Sequence, residues 1–452
     1  MAGRARSFVG LVCALVVVAV LVAPAPASAA GPEFRGVQLH SLWEDNSSQD
    51  MDRELDLARG SGANVVRVDV GWSSLETGGK GQYSQWYLDK LDRLMEGANA
   101  RGMRVIATLL YTPCWASSAP ESLKQDCEGS WWERDVQMYS PERPSDYADA
   151  ARFVTARYGT KLAALEVWNE PNLDEERFLV SLDGPRAYAD MLKAAYPAVK
   201  QGNPDVDVLA GSLAYMNEGF LTRLYALGIQ GSYDGLSIHP YNVSAPTAGN
   251  WSGIEWARRL QRAAGDDKPL WLTEFGWSTC SKGSGWCNSP EEQAINTKAA
   301  FQAIADDPQI KAAVVYNLRD KGTDPNSMED NFGLVKRDFT PKPGYNALRE
   351  ALGGAGVERT ASKPMRRLNV RLRLKIRRRG GSIIATVKAP RYRKVMVATS
   401  GCKHVPSRRL ELRTGHQGRA VRRLGRASRL SGCRVTARMG ELGPRAATSR
   451  VR

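Results

Sequence analysis

The feature that most constrains the fold is a regular alternation, between Phe34 and Leu352, of short apolar runs and amphipathic helical stretches. The runs are rich in β-branched residues or bounded by glycine and proline, which is typical of buried strands. The predicted strands are Phe34–His40, Asn64–Gly71, Arg104–Tyr111, Leu162–Trp168, Val206–Gly211, Gly235–His239, Pro269–Phe275 and Ala312–Asn317. The predicted helices are Met51–Arg59, Ser84–Arg101, Ser145–Tyr158, Ala187–Lys200, Phe220–Leu227, Trp256–Ala264, Pro290–Ala305 and Tyr345–Leu352. Eight β/α alternations predict an α/β fold, a closed (β/α)8 TIM barrel over residues 31–353.

The alternative to a closed barrel is a doubly wound open sheet. That fold would require a glycine-rich phosphate-binding turn after an early strand, and the sequence has no such turn. The closed barrel is therefore the favoured prediction.

The first thirty residues have the pattern of a secretory signal peptide. A short basic start with Arg4 and Arg6 precedes the apolar run Phe8–Val22, and Ala27–Ala29 offers small residues for cleavage. An uncleaved membrane anchor is the alternative, but the run is shorter than the ~20 apolar residues that a span requires. We therefore expect a secreted or envelope-associated protein without a transmembrane span. Its composition, rich in alanine, arginine and glycine, favours a bacterial source.

One of the seven cysteines, Cys13, falls within the predicted signal peptide. An even number of remaining cysteines in an exported chain indicates disulfides. Pairing neighbours in the chain closes the shortest loops and is the simplest of the possible connectivities. These pairs are Cys114 with Cys127, Cys280 with Cys287, and Cys402 with Cys433. A zinc site is a weaker alternative, because neither a Cys-x-x-Cys motif nor a histidine cluster is present.

The net charge of +15 hides a strong asymmetry between the two ends of the chain. Residues 359–452 hold 28 of the 63 Lys and Arg but only 2 of the 48 Asp and Glu, so this segment carries +26 and the remainder −11. Such an asymmetry indicates a domain boundary and a binding surface.

The basic segment also has its own secondary-structure pattern. Apolar residues alternate with Asn369 and then with basic residues from Leu368 to Ile376, Gly380 and Gly381 form a turn, and a second strand follows at Ile383–Val387. Further short strands are predicted at Lys394–Ala398, Arg408–Leu412 and Cys433–Ala437. We predict a linker at 354–364 and a small all-β, sandwich-like accessory domain at 365–452. Its charge is compatible with a solvated strand face, with nucleic-acid binding, or with retention on an anionic cell-wall polymer or exopolysaccharide. Export argues against the nucleic acid.

Two of the predicted barrel strands end in glutamates. Trp168–Asn172 reads WNEPN and places Glu170 after strand four, and Thr273–Trp277 reads TEFGW and places Glu274 at the end of strand seven. Catalytic groups of such barrels lie at the carboxyl ends of the strands. Retaining glycoside hydrolysis requires two carboxyl groups about 5–5.5 Å apart at such a site.

These two motifs resemble the strand-four and strand-seven signatures of clan A retaining glycoside hydrolases, especially families 39 and 5, including bacterial exopolysaccharide endoglycosidases grouped with family 39. The resemblance covers the whole barrel region. It implies that Glu170 is the acid/base and Glu274 the nucleophile. It also implies that Asn169 is a hydrogen-bond partner of the sugar 2-hydroxyl. Members of the clan act on β-linkages more often than on α-linkages, so the resemblance favours a β-linked substrate without specifying which one.

Strand alternation predicts which further residues face the barrel lumen. Arg67 with Asp69 in strand two, and His239 with Tyr241 in strand six, lie opposite apolar residues that must face the helices. We expect Arg67 and Tyr241 to contact Glu274, because an adjacent guanidinium keeps a nucleophilic carboxylate ionised. The same alternation predicts that Glu166 and Trp168 point into the lumen below Glu170. The clan resemblance supports substrate-binding roles for Arg67, His239 and Tyr241.

Other candidate substrate-binding residues follow strand ends. Gln38 and His40 share the inward face of strand one, and aromatic side chains, which stack on sugar rings, follow other strands. These aromatic residues are Trp72, Trp115, Trp277 and Tyr316. No metal-ligand cluster or cofactor motif is apparent, so we expect neither a metal nor a cofactor. The sequence predicts a secreted retaining hydrolase acting on a polysaccharide or oligosaccharide; a non-hydrolytic polysaccharide-binding protein and a transglycosylase are the alternatives.

Overall fold

The computed structural model describes residues 31–42, 47–173, 178–215, 217–281 and 285–354, and seven strands with a few adjoining residues between 373 and 450. The predicted signal peptide and most of the predicted linker lie outside these ranges. The chain divides into two compact units, residues 1–356 and 357–452. No helix within the described ranges combines the length and the apolar character needed to cross a bilayer.

The first unit is a closed barrel of eight parallel strands in chain order. The strands are β1 (Phe34–Leu39), β2 (Val65–Gly71), β3 (Arg104–Leu110), β4 (Leu162–Val167), β5 (Asp207–Ala214), β6 (Gly235–His239), β7 (Leu270–Phe275) and β8 (Ile310–Val315). Parallel pairing of β1 with β8 closes the ring, which excludes the open sheet and confirms the predicted (β/α)8 barrel.

Helices follow the strands and form the outer layer. They are α1 (Ser48–Gly60), α2 (Trp72–Leu75), α3 (Gln85–Ala100), α4 (Glu121–Lys124), α5 (Pro144–Tyr158), α6 (Gly184–Gly202), α7 (Glu218–Ala226), α8 (Ser252–Ala263), α9 (Pro290–Ala303) and α10 (Pro343–Ala351). Helices α1 and α9 begin with capping boxes, formed by Ser47 with Asp50 and by Ser289 with Glu292, which satisfy backbone donors of the first turn. The one-turn helices α2 and α4 lie in loops and were not predicted.

Two of the apolar clusters of the described residues lie inside and outside the ring of strands. The floor of the lumen consists of Phe34, Val65, Ile106, Ala163, Ala164, Leu209, Trp271, Ala312 and Val314. The larger cluster lies between strands and helices and includes Val66, Val68 and Val70 from the opposite face of β2. Each buried aliphatic side chain contributes roughly 1.5–3 kcal/mol. With the floor filled, polar side chains of the lumen are confined to its carboxyl end.

Two disulfides hold loops at the carboxyl end of the barrel. Cys114–Cys127 closes a loop after β3, and Cys280–Cys287 closes one after β7. Both match the predicted pairs. Cys433 is buried and disulfide-bonded, and its predicted partner Cys402 lies outside the described residues.

The second unit consists of two antiparallel sheets, ordered β13-β10-β9 and β12-β11-β14-β15. The strands are β9 (Arg373–Arg379), β10 (Ser382–Lys388), β11 (Lys394–Ser400), β12 (Arg408–Arg413), β13 (Arg419–Arg426), β14 (Arg434–Met439) and β15 (Ser449–Arg450). Ile383, Ala385, Val397 and Val435 are among their buried residues. Strand β13 and the two-residue β15 are not predicted from the sequence; the basic residues of β13 do not alternate regularly with apolar ones.

Candidate active site

The backbone that presents Glu170 is strained. Trp168 (φ 65°), Glu170 (φ 44°) and Ser212 (φ 49°) all adopt the left-handed region, which costs non-glycine residues about 1–3 kcal/mol each. Backbone hydrogen bonds hold the segment: Trp168 N–H donates to Leu109 O, and Glu170 N–H donates to Ser212 O, both at 3.0 Å. Strain of this kind persists only where the surroundings enforce it, and here it fixes the position of one carboxyl group.

The Glu170 carboxyl group is held by His239, which is in turn held by Ser212. His239, at the end of β6, places Nδ1 2.7 Å from Glu170 Oε1, and its Nε2 lies 3.1 Å from the hydroxyl of Ser212. Burial raises the pKa of Glu170, and the charge of Glu274 adds to this, while the hydrogen bond and charge of His239 oppose it. The net effect is a raised pKa, which favours a protonated Glu170.

The environment of Glu274 has the opposite effect on its charge. Arg67 Nη1 donates to Glu274 Oε1 at 2.5 Å, and the Tyr241 hydroxyl donates to Glu274 Oε2 at 2.9 Å. Burial alone would raise the pKa of Glu274, but the charges of His239 and Arg67 and the Tyr241 hydroxyl together lower it. Glu274 is therefore kept ionised. Both contacts that the sequence predicts for this carboxylate are present.

Arg67 is the centre of the polar network above the lumen floor, and it is completely buried. Its Nε donates to Glu166 Oε2 at 2.7 Å, its Nη1 also donates to Gln38 Oε1 at 2.9 Å, and its Nη2 donates to Asn169 Oδ1 at 2.9 Å. The bond to Asn169 turns the amide nitrogen of that side chain away from the guanidinium. A buried arginine with this many acceptors is fixed in position, and it fixes its partners.

The two strand-end carboxyl groups lie close together. One oxygen of Glu170, one of Glu274 and a ring nitrogen of His239 all lie within 4.8 Å of one another. Three such atoms could hold a cation, but Arg67 already supplies a positive charge to Glu274 and His239 already contacts Glu170 Oε1. The arrangement therefore fits two carboxyl groups of opposite protonation better than a metal site.

Aromatic side chains cluster on the Glu274 side of the site. Tyr316 packs edge-on against His40, Tyr241 and Phe332, with ring centroids 5.4, 6.2 and 5.4 Å apart. His40 Nδ1 lies 3.7 Å from Asp69, whose pKa burial raises to about 6 against the opposing charge of Arg67. The structure thus brings His40 and Tyr316 to the same mouth as Arg67, Asn169, His239 and Tyr241.

Three tryptophans that were expected at the mouth or in the lumen lie elsewhere. Trp72 is completely buried in the outer core against Tyr147, and its Nε1 donates to Glu76 at 2.6 Å. Trp277 is buried against Phe275 between barrel and helices. This burial does not support the predicted substrate-binding roles of Trp72 and Trp277. Trp168 does not enter the lumen either, because its left-handed φ breaks the strand alternation that predicted it.

Two residues of the network were missed by the sequence analysis. Ser212 was not predicted because β5 was expected to end at Gly211, whereas a bulge between Gly211 and Leu213 prolongs the strand and places Ser212 beside His239. Thr108 of β3 donates to Glu166 Oε2 at 2.7 Å. Thr108 lies on the strand face opposite Ala107 and Leu109, and this alternation in β3 indicates that its side chain faces the lumen.

The end of β7 explains the glycine of the TEFGW motif. A Cβ atom at Gly276 would overlap the carbonyl oxygen of Tyr316, at the end of β8. Only glycine therefore allows the two strand ends to approach this closely. The approach sets Glu274 beside the aromatic cluster of Tyr316.

This geometry agrees with a comparison against protein families. The family model described as Cellulase (glycosyl hydrolase family 5) matches residues 25–312, which is more than half of the chain. The chain belongs to this family. Family 5 is one of the clan A families that the two strand-end motifs resemble, so the family model and the motifs agree on a clan A glycoside hydrolase domain.

Individual relatives of this family 5 protein are distant. A "Beta-glucosidase" from Agrobacterium sp. is 31% identical over 132 residues, 29% of this chain and 24% of that protein. A "Probable glucan 1,3-beta-glucosidase A" from Neosartorya fischeri is 25% identical over 235 residues, 49% of this chain and 51% of that protein. The chain thus spans about a quarter and about half of the lengths of these two relatives.

A solved structure supports the fold. A family 39 glycoside hydrolase from Bacteroides cellulosilyticus WH2 superposes with a TM-score of 0.54 and 18% identity, covering 86% of this chain and 80% of that one. At this identity the likeness concerns the fold alone.

Proposed function

We propose that this glycoside hydrolase is a secreted retaining enzyme that cleaves β-linked sugars by double displacement, with Glu170 as the acid/base and Glu274 as the nucleophile. The observation that carries this proposal is the pair of strand-end carboxyl groups, which have oppositely shifted pKa values and of which one oxygen each lie within 4.8 Å of one another. Inverting enzymes hold their two carboxyl groups about 6.5–9.5 Å apart to admit a water molecule, whereas retaining enzymes hold them about 5–5.5 Å apart. The shorter separation supports retention.

In the first step, ionised Glu274 attacks the anomeric carbon and forms an ester bond, while Glu170 gives its proton to the departing glycosidic oxygen. Once Glu274 is esterified its negative charge is gone. Because that charge raises the pKa of Glu170, the pKa then falls and Glu170 becomes a base. In the second step Glu170 takes a proton from water, the water oxygen attacks the anomeric carbon, and Glu274 leaves as a carboxylate.

The remaining residues position these two groups and the sugar. Arg67 and Tyr241 hold Glu274 in place, and His239 holds Glu170. Asn169, oriented by Arg67, is suited to hydrogen-bond the sugar 2-hydroxyl. His40 and Tyr316 offer polar and aromatic contacts to the ring on the Glu274 side. The names of the two relatives, both β-glucosidases, support a β-linked substrate.

The stereochemistry of hydrolysis tests this proposal. The wild-type enzyme is assayed on a panel of aryl β-glycosides and soluble polysaccharides, and the anomeric proton of the first product is followed by NMR. We expect the β-anomer to appear first and the α-anomer to follow by mutarotation. Initial release of the α-anomer would mean inversion. Saturable binding without cleavage would favour a non-hydrolytic binding protein, and products longer than the substrate would favour a transglycosylase.

We further propose that the basic C-terminal unit retains the enzyme on an anionic cell-wall polymer or exopolysaccharide. Its segment 359–452 carries 28 Lys and Arg against 2 Asp and Glu. Deleting 357–452 is expected to leave hydrolysis of a small glycoside within about twofold of wild type. Retention on an acidic polymer should fall, and wild-type retention should decrease steeply with salt. Co-sedimentation across a salt series measures this; a salt-independent loss would contradict the electrostatic explanation.

A further inference from the structure

Two large aromatic side chains are exposed side by side on the barrel unit. Tyr215 is 54% exposed and Trp286 38% exposed, and their ring centroids are 6.5 Å apart at an interplanar angle of 61°. Most other large aromatic side chains of this unit are buried in its core. An exposed aromatic pair leaves apolar surface in contact with water, and such a pair is typical of a binding surface.

The pair lies at the carboxyl end of the barrel, on the same face as the two carboxyl groups. Tyr215 directly follows β5, and Trp286 lies in the loop after β7 that Cys280–Cys287 closes. Strand β6, which carries His239, runs between them in the barrel. The aromatic pair therefore spans the rim above the strand whose end contacts Glu170.

Both aromatic residues are tied to their strand ends. The Asn172 amide donates to Ala214 O at 2.8 Å and accepts from Ala214 N–H at 3.0 Å, which joins the segment of Glu170 to the residue before Tyr215. On the other side, Asn288 N–H donates to Ser278 O at 2.8 Å, and its side chain donates to Trp286 O at 3.0 Å. The rings thus stand on anchored segments.

We propose that Tyr215 and Trp286 form a platform that stacks on the sugar beyond the scissile bond, on the leaving-group side. This inference rests on the proposed function, in which Glu170 contacts the departing oxygen. Tyr215 is linked to the Glu170 segment, whereas Tyr241, Tyr316 and Phe332 cluster on the Glu274 side. Aromatic faces pack against the C–H faces of pyranose rings. The substrate class is therefore an oligosaccharide or polysaccharide, with at least one sugar as leaving group.

Alanine and phenylalanine variants at the two positions test the platform. Tyr215→Ala and Trp286→Ala should each lower kcat/KM on oligosaccharides about tenfold, which corresponds to the loss of one good binding contact. On a glycosyl fluoride with a single sugar, whose leaving group is too small to reach the two rings, the change should stay below about twofold. Tyr215→Phe and Trp286→Phe keep an aromatic face and should retain most activity. Trp86→Ala, at a 67% exposed position on α3, is the matched control.

Equal losses on the two substrate types, or no loss on oligosaccharides, would overturn the platform. If the wild type cleaves no substrate of the panel, the proposed function fails instead, and affinity electrophoresis in soluble polysaccharides tests the platform separately. The platform would be supported if the polysaccharide retards the wild type and Trp86→Ala but not Tyr215→Ala or Trp286→Ala. Retardation of wild type and alanine variants alike, or of none, would overturn it.

Discussion

Glu274→Ala is expected to lower the hydrolysis of aryl β-glycosides by at least about 10⁴-fold, because it removes the carboxylate that attacks the anomeric carbon. The two other lumen carboxyl groups considered above are engaged elsewhere: Glu166 is buried and bound by Arg67, and Asp69 lies 3.7 Å from His40 and 3.9 Å from Arg67. Steady-state kinetics on an activated aryl glycoside measure the loss. Circular dichroism and thermal unfolding show whether the variant is folded.

Azide distinguishes the role of Glu274 from a general structural one. In Glu274→Ala the small anion can occupy the space of the lost carboxylate and attack the sugar, while Glu170 still protonates the leaving group. The product should be a glycosyl azide of inverted configuration. The matched variant Glu170→Ala keeps the nucleophile, so azide should attack the glycosyl-enzyme and give the retained configuration. A retained product from Glu274→Ala, or substantial residual activity, would refute the assignment.

The barrel could be predicted because its strands are encoded locally. The run Val65–Gly71 alternates in a way that assigns Val66, Val68 and Val70 to the helices and Arg67 to the lumen, and the structure has this arrangement. The positions of Glu170 and Glu274 follow from the same local reasoning, since each directly follows or ends a strand. Period-two patterns remain reliable as long as the strand is regular.

The sequence pattern does not predict side-chain positions where the backbone departs from a regular strand. Trp168 was expected in the lumen, but its left-handed φ turns the chain and places the ring in the outer core. Ser212 was missed because a bulge prolongs β5 past Gly211. Neither the turn nor the bulge is indicated by residue type, because both are enforced by hydrogen bonds from neighbouring strands.

The contacts of Arg67 cannot be predicted from the sequence alone, because they depend on how the strands align in the closed barrel. Its partners Gln38, Glu166 and Glu274 come from three other strands, at sequence separations of 29, 99 and 207 residues. Alternation predicts that each of them faces inward, but only the register between strands brings them to one guanidinium. The sequence therefore predicts the members of the network better than the pairs they form.

Arg67→Met is expected to destabilise the barrel by about 3–5 kcal/mol at neutral pH, because the methionine fills a similar volume but leaves Glu166 and Glu274 buried without their compensating charge. Chemical denaturation gives the free energy of unfolding. The matched control is Arg152→Met, which removes an exposed arginine 3.0 Å from Asp149 and should change this energy by less than about 0.5 kcal/mol.

The loss of unfolding free energy caused by Arg67→Met should increase as the pH rises from acidic to neutral. In the wild type the pKa values of Glu166 and Glu274 are lowered despite burial, so their contribution to stability is present above the unfolded pKa and is lost as the pH falls. Without Arg67, Glu166 loses the largest influence that opposes burial, so we expect its pKa to rise above the unfolded value and this part of the stability to be lost as the pH rises. The difference between variant and wild type should therefore widen from acidic to neutral pH.

Adding Glu166→Gln to Arg67→Met tests the same explanation independently of pH. The second substitution removes one of the uncompensated charges, so it should recover part of the lost stability in the Arg67→Met background. In the wild type it should instead destabilise the fold, because it removes one of the negative charges that compensate the buried Arg67. A double variant whose loss equals the sum of the two single losses would show that Arg67 acts by packing alone. A double variant that loses less stability than this sum would establish that the charge of Arg67 holds the buried carboxylates in place.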